Sequence, residues 1–207
     1  MPQRRNRRAQ LADAAVEVLA RDGGRGLTHR AVDREAGFPE GTTKNYHATR
    51  ESLLAAVARQ LADQHTAAMH RLREQMPDGL GQADVQALYL AMLRRMVTSA
   101  RSQFLALFEL HLEAVRNPQV RTAIGEVALA GADSAVQLHA AVGEPISARG
   151  GGLLEAGMLG VAMSMLSLPE DVVGRIGFDD PDPLGRSLLG MAAAAEPADG
   201  LLRGRAS

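Results

Sequence analysis

The sequence predicts an all-helical protein, and three observations predict it. Apolar residues recur at intervals of three and four along almost the whole chain. No stretch alternates apolar with polar residues as a half-buried strand does. Glycine and proline fall mostly between the periodic segments, where they start or stop helices. The pattern gives about nine helices in 207 residues, enough for a small domain and a larger one. Aromatics are 3% of the chain and tryptophan is absent, so leucine, valine, alanine and methionine must fill the core. There is no cysteine, which excludes disulfides, thiolate metal sites and cysteine nucleophiles.

The elements follow in order. Leu11, Ala15, Val18 and Leu19 give one apolar face behind an arginine cluster, and Gly23, Gly24 and Gly26 end that helix. Thr28 has a short hydroxyl that can accept from the backbone of the next turn, and caps a second helix reaching Ala36. Gly37-Phe38-Pro39 breaks the pattern before a short third segment from Glu40 to His47. Thr49 caps a long helix carrying Leu53, Leu54, Val57, Leu61, Ala68 and Leu72, which a turn at 77–79 ends. Val85, Leu88, Tyr89, Met92, Leu93, Met96 and Val97 form the next stripe. After a break near 99–102, Phe104, Leu107, Phe108, His111, Leu112 and Val115 form another. Asn117 caps the following helix, and Pro118 opens it where a missing N–H costs nothing. Its face carries Val120, Ile124, Val127, Gly131, Ala135, Leu138 and Val142. An interior glycine costs about 1 kcal/mol relative to alanine, so Gly131 argues against an unbroken helix. Gly143 and Pro145 end it. Gly150-Gly151-Gly152 reads as a flexible connection to an apolar helix at 153–168, which is too short to span a bilayer comfortably. Pro181 and Pro183 punctuate a loop, a last helix runs over 184–195, and the tail to Ser207 frays.

The net charge of −1 conceals an asymmetry. Residues 1–60 carry 11 lysines and arginines against 7 acidic residues, whereas 61–207 carry 12 against 17. A basic head on an acidic body points to a polyanion partner at one end. Residues 28–47 lie within that head and have helix-turn-helix spacing, in which one helix crosses the DNA backbone and the next lies in the major groove. The segment from Glu40 to His47 has almost no apolar face. Its Thr, Lys, Asn, Tyr and His side chains can all donate to phosphates or base edges. On composition alone a solvated polar turn accounts for it equally well.

Four stretches stand out by their order and spacing: Leu11-Ala12-Asp13-Ala14-Ala15, Gly26-Leu27-Thr28-His29-Arg30-Ala31-Val32, the run from Ala36 to Tyr46, and Thr49-Arg50-Glu51-Ser52-Leu53-Leu54. Residues 9–57 resemble the DNA-binding domain of the TetR family of bacterial transcription regulators. The resemblance implies a three-helix DNA-binding domain over 1–55, a helical ligand-binding and dimerisation domain over 56–200, and a tail over 201–207. It implies a ligand-responsive regulator, most often a repressor, with double-stranded operator DNA, a second copy of itself and an unidentified small molecule as partners. The long helix that follows Thr49 would be the only continuous link between the domains. Two positions depart from the family: Lys44 stands where many members have an aromatic residue on the phosphates, and His47 where many have a packed phenylalanine.

The resemblance also implies roles. Thr28 touches a phosphate while capping its helix. Arg30 contacts a phosphate or guanine, or else pairs with Asp33. Thr42, Thr43 and Asn45 read base edges, and Lys44, Tyr46 and Arg50 hold phosphates. Tyr46 has packing against the next helix as its alternative, and Arg50 has pairing with Glu51 or Glu35. His47 fills the space beneath the recognition helix or reaches a phosphate. Arg4, Arg5, Arg7 and Arg8 form an arm before the first helix that enters a minor groove or follows phosphates, or else a tail with fortuitous charge.

In the C-terminal part, dimerisation in this family usually uses two late helices. Ala128, Gly131 and Ala135 give one helix a small-residue seam for close approach, and the apolar helix at 153–168 is a buried core helix, a shared dimer core, or both. Met92, Met96, Phe104, Phe108 and His111 are the ligand-pocket candidates, with core packing as the alternative for each. No cofactor, metal site or enzyme is expected: His65 and His70 do not share a helix face, and no zinc helix, phosphate loop or nucleophile elbow appears. Without a signal peptide or a membrane span, the expected place is the cytoplasm.

Overall fold

The computed structural model describes residues 2–74 and 81–195. Among them are ten helices and no strand, one helix more than the spacing predicts. They are α1 (Pro2–Gly26), α2 (His29–Glu35), α3 (Thr42–Tyr46), α4 (Arg50–Glu74), α5 (Gln82–Val97), α6 (Arg101–Arg116), α7 (Pro118–Ala141), α8 (Ala148–Ser167), α9 (Glu170–Arg175) and α10 (Pro181–Ala194). The unforeseen one is α9, a short helix with Glu170 and Asp171 in its first turn, where acidic side chains suit the helix dipole. The turn at 77–79 and the tail at 201–207 lie outside the described residues.

The predicted caps form. Thr28 Oγ1 accepts from Ala31 N at 3.2 Å, Thr49 Oγ1 from Ser52 N at 3.1 Å, and Asn117 Oδ1 from Gln119 N at 3.0 Å and Val120 N at 3.3 Å. Each supplies an acceptor to N–H groups that the helix itself leaves orphaned. Gly23, with φ 66 and ψ −178, breaks the helical conformation near the end of α1, as the glycine run predicts.

The chain forms two compact units. One comprises Met1–Arg71 with Arg94–Ala130, the other Leu72–Leu93 with Gly131–Ser207. The boundary expected after residue 55 falls inside α4, and the chain passes between the units at three places, so α4 is not the only continuous link. In the first unit α1 packs on α2 and α6. Its core contains Leu11, Val18, Leu19, Val32, Leu53, Leu54, Val57 and Leu110, all fully buried. Each such side chain contributes roughly 1.5–3 kcal/mol over its exposed state. Leu112 and Val115 continue the α6 stripe by spacing but are 55% and 70% exposed.

In the second unit α8 packs on α10 and α9. Its core contains Val85, Leu138, Leu154, Met158, Leu184 and Leu188. Three expectations are corrected here. The triple glycine is not a connection but the first turns of α8, capped by Ser147, whose Oγ accepts from Gly150 N at 3.1 Å. A Cβ on Gly151 would stand 2.6 Å from the Ala132 carbonyl oxygen, so the glycine lets α8 approach the α7 backbone. The helix through Gly131 is unbroken, and that glycine faces Glu155 of the same chain. At Gly131 the small-residue seam serves contact within the chain, and Ala128 is left exposed. Finally, α8 has 20 residues and is long and apolar enough, by length and composition alone, to cross a membrane. Its buried Leu154, Met158, Val161 and Ala162 give it the character of a core helix.

Candidate functional site

The helix-turn-helix is built around a buried carboxylate. Asp33 on α2 is 1% exposed. Its Oδ2 accepts from Gly41 N at 2.8 Å, and its Oδ1 accepts from Thr43 N at 2.6 Å and from Thr43 Oγ1. These three bonds tie the end of the turn and the first residues of α3 to α2. Gly37 and Gly41, at φ 68 and 88, supply left-handed conformations that a side chain would strain, so the turn reverses within a few residues. Thr42 Oγ1 donates to the Pro39 carbonyl at 2.6 Å. The guanidinium of Arg7 lies 5.7 Å from the centroid of the Phe38 ring, a cation–π contact between α1 and the turn.

This construction divides the polar octet. The helix is five residues, Thr42–Tyr46, with Gly41 as its N-cap, shorter than the span from Glu40 to His47. Lys44 and Asn45 are exposed, and Thr42 and Tyr46 are half-buried. Thr43 is fully buried against Asp33, so it does not present its hydroxyl to a base edge. His47 is 4% exposed beneath the motif, and its carbonyl accepts from His29 Nε2 at 2.6 Å. Burial first, and then Arg8, Arg59 and His29, hold the His47 ring below the usual imidazole range, so near pH 7 it is neutral and carries no charge for a phosphate.

The arginines divide in the same way. The Arg30 side chain is 84% exposed and only 3.6 Å from a Glu40 carboxylate that is 75% exposed, not paired with Asp33. Such a surface pair is worth little and is easily exchanged for another anion. Arg50 is held. It donates to Glu113 Oε1 at 2.8 Å, to Glu113 Oε2 at 3.2 Å and to the Gly24 carbonyl at 2.6 Å. Glu109 Oε2 accepts from Gly24 N at 3.0 Å. Its partner is thus an α6 carboxylate, neither Glu51 nor Glu35, and its guanidinium is occupied where a phosphate contact was expected. The N-terminal arm is helical from Pro2, as the start of α1, rather than a strand of chain preceding it. Arg7 and Arg8 are exposed on it, while the side chains of Arg4 and Arg5 lie outside the described residues.

The sequence offered Asp33 only as an alternative partner for Arg30 and gave Glu113 no part in the motif. Asp33 had one available signal: it lies eight residues before the start-of-helix glycine and ten before Thr43, a donor-rich helix N-terminus. Glu113 had none, because its partner is 63 residues away.

The pocket candidates do not belong to one unit. Met92 is half-buried in the second; Met96 is buried, and Phe104, Phe108 and His111 half-buried, in the first. Burial holds the His111 ring below its ordinary range. A groove of about 480 Å³ in the first unit is lined by none of the five but by residues including Asp13, Glu17, Glu35, Gln64 and Gln103.

Comparison with known proteins adds the following. The family model described as the tetracyclin repressor-like C-terminal domain matches residues 80–195. The multidrug binding protein EbrR complexed with ethidium is 25% identical over 90% of this chain and 98% of its own, with a TM-score of 0.66. A TetR-family member from Streptomyces coelicolor A3 is 25% identical over 90% and 98%, with a TM-score of 0.64. GusR of Salmonella enterica shares the fold at 18% identity, over 90% and 95%, with a TM-score of 0.62. No curated protein sequence matches the chain.

Proposed function

The chain belongs to the TetR family of transcriptional regulators, and from that premise we propose that it is a homodimeric repressor released from a palindromic operator by a small apolar or amphipathic effector. The observation that carries the DNA reading is the Asp33 lock. It fixes the start of α3 so that Lys44 and Asn45 stand outward on a five-residue helix, with Thr42 and Tyr46 beside them. Asn45 and Thr42 are the proposed base readers, and Lys44, Tyr46, Arg30, Thr28 and the exposed arginines of α1 the phosphate holders. Phosphate contacts fix register, and base-edge contacts give sequence preference. An operator reader of this kind works in the cytoplasm.

A motif this short reads a half-site, so two copies are needed, one DNA turn or a multiple apart. The proposed contact between copies uses α8 and α10 rather than α7. These pack together and leave Leu153, Met163 and Met191 about two-fifths exposed, at 42%, 42% and 38%. Large apolar side chains left open on adjacent helices favour a second copy of the same surface.

EbrR has been seen with ethidium and with proflavin, flat molecules with an apolar body. An effector of that kind is proposed here. It shifts the equilibrium only if it binds the DNA-incompetent conformation more tightly. The test is a mobility-shift titration of the protein on the DNA upstream of its own gene. Binding in the absence of ethidium and release on its addition are expected. Tighter binding on addition would replace release with corepression, and no binding to that DNA at low salt would leave a small-molecule-binding helical protein.

A further inference from the structure

Within the second unit, α5, α7 and α8 bring three polar side chains together. Tyr89 on α5 is 3% exposed and His139 on α7 is 4% exposed, and their rings lie 5.8 Å apart at 31°. His139 Nδ1 lies 3.2 Å from the Glu144 carbonyl, which can only accept, so Nδ1 carries the proton and Nε2 is an acceptor in the neutral ring. Neither that Nε2 nor the Tyr89 hydroxyl has a hydrogen-bond partner among the described residues. Glu155 reaches in from α8. Its carboxyl occupies the space over Gly131, where an added Cβ would meet Cδ at 2.6 Å and Oε1 at 2.7 Å. The residue keeps part of its surface open, yet burial pushes the carboxyl up to about 7. Its charge also adds to the burial that raises the Tyr89 phenol.

Packing alone leaves these grouped polar atoms without partners among the described residues. Each buried polar atom without a partner lowers stability, and apolar side chains of similar volume would remove that cost. The three groups also match one another. A carboxylate and a ring nitrogen accept, a phenol oxygen accepts as well, and an aromatic ring face attracts positive charge. We propose that Glu155, Tyr89 and His139 form the polar end of the effector site, and that it takes a small organic cation bearing N–H donors on an apolar body. The inference deepens the regulator reading and rests on it for the word effector; the cation site itself is testable on protein alone.

The test is a fluorescence titration of the full chain from pH 5.5 to 8.5 with two probes, ethidium, whose charge is permanent, and uncharged N-phenyl-1-naphthylamine. Among the described residues, Tyr89 from α5 is the titratable group that feels the Glu155 charge, His139 from α7 lies against the Tyr89 ring, and α10 meets α8 at Gly157 through the apolar Leu188 and Met191. Ethidium affinity is expected to rise roughly tenfold across this range as Glu155 ionises. Glu155→Gln is expected to abolish the rise and to weaken ethidium roughly tenfold at pH 8.5, changing the neutral probe less than about twofold. Tyr89→Phe and His139→Asn should each weaken ethidium several-fold and keep the rise. Gly131→Ala, which crowds the carboxyl without removing it, should weaken ethidium in a protein that still melts cooperatively.

The proposal is overturned if Glu155→Gln binds ethidium like the original protein, if the rise disappears in His139→Asn instead, or if the chain takes the neutral probe and not ethidium. Operator binding is measured separately on the unaltered protein. Ethidium-driven release that survives in Glu155→Gln removes this site and leaves the regulator standing. Absence of operator binding removes the regulator, while the two-probe titration still decides the site.

Discussion

Asp33 and Glu155 are both drawn inward by this fold, one fully and one in part, and they are treated in opposite ways. Asp33 is buried in the helix-turn-helix and receives three hydrogen bonds from Gly41 and Thr43. Glu155, in the second unit, is shifted upward by burial, and no hydrogen bond from the described residues offsets it. In sequence both are simply carboxylate side chains. What separates a structural carboxylate from one held ready for a ligand is whether the protein supplies the donors. Asp33 is finished by its own chain; Glu155 awaits a partner.

The comparison breaks most visibly at Asp33. Asp33→Ala strands two backbone N–H groups and a hydroxyl inside the motif, and is expected to lower the free energy of unfolding by about 3 kcal/mol. Urea melts measure that loss. Operator binding should vanish at concentrations where the original protein saturates, because the start of α3 is no longer held. Asp33→Asn keeps one acceptor oxygen and should lose roughly half as much. An alanine variant of unchanged stability would mean that α3 is positioned by packing alone.

Glu155→Gln should act with the opposite sign. The folded carboxyl titrates at about 7 against an ordinary 4.5, so the folded state holds this proton more tightly than the unfolded state. Stability is therefore lost as pH rises from 4.5 towards 7, and the penalty is complete above that. The variant should exceed the original protein by about 3 kcal/mol at pH 8, and the gap should close near pH 4.5. Melting both proteins across this range checks it; parallel curves would place Asp33 and Glu155 in one class.

The sequence made the frame of this comparison visible and hid its contents. Helix positions, the caps Thr28, Thr49 and Asn117, and the helix-turn-helix spacing are local signals, written within a turn or two of where they act. Thr43 was misplaced, and His47 stood between packing and a phosphate contact, because composition cannot say which side of a five-residue helix faces inward; Asp33 on a different helix decides it, and His47 packs. Arg50 could not be matched with Glu113, nor Gly131 with Glu155, because those contacts join distant parts of the chain. Gly131 is instructive. Its cost to helix propensity was legible, but the reason for accepting it is the carboxyl of a different helix.

Arg50 and Glu113 sharpen the comparison from the middle, being paired but only partly buried, with side chains 38% and 22% exposed. Arg50→Ala loses the bidentate pair and the bond to the Gly24 carbonyl, and solvent screening limits the cost to about 1 kcal/mol. The Arg50 guanidinium holds the Glu113 carboxyl below its ordinary range. The pair's contribution is thus present above that ordinary range and is lost as pH falls through the depressed value. A double-mutant cycle with Glu113→Gln, run in urea at pH 7 and again in acid, should show a coupling that fades in acid.

The smallest effect on stability belongs to Lys44, and that is its value. It sits next to Thr43 on the same short helix, exposed where Thr43 is buried. Lys44→Ala should change unfolding by less than about 0.5 kcal/mol, since no packing or hydrogen bond is removed. Its operator affinity should nevertheless fall for all sequences alike, with the salt dependence reduced by about one counterion, the mark of a lost phosphate contact. Thr43→Val should do the reverse, costing about 1 kcal/mol of stability through the lost bond to Asp33 while leaving the salt dependence as it was. Neighbouring residues with opposite profiles would show that α3 has one face for the protein and one for the operator. A shared profile would mean that the helix has not been oriented by Asp33 at all.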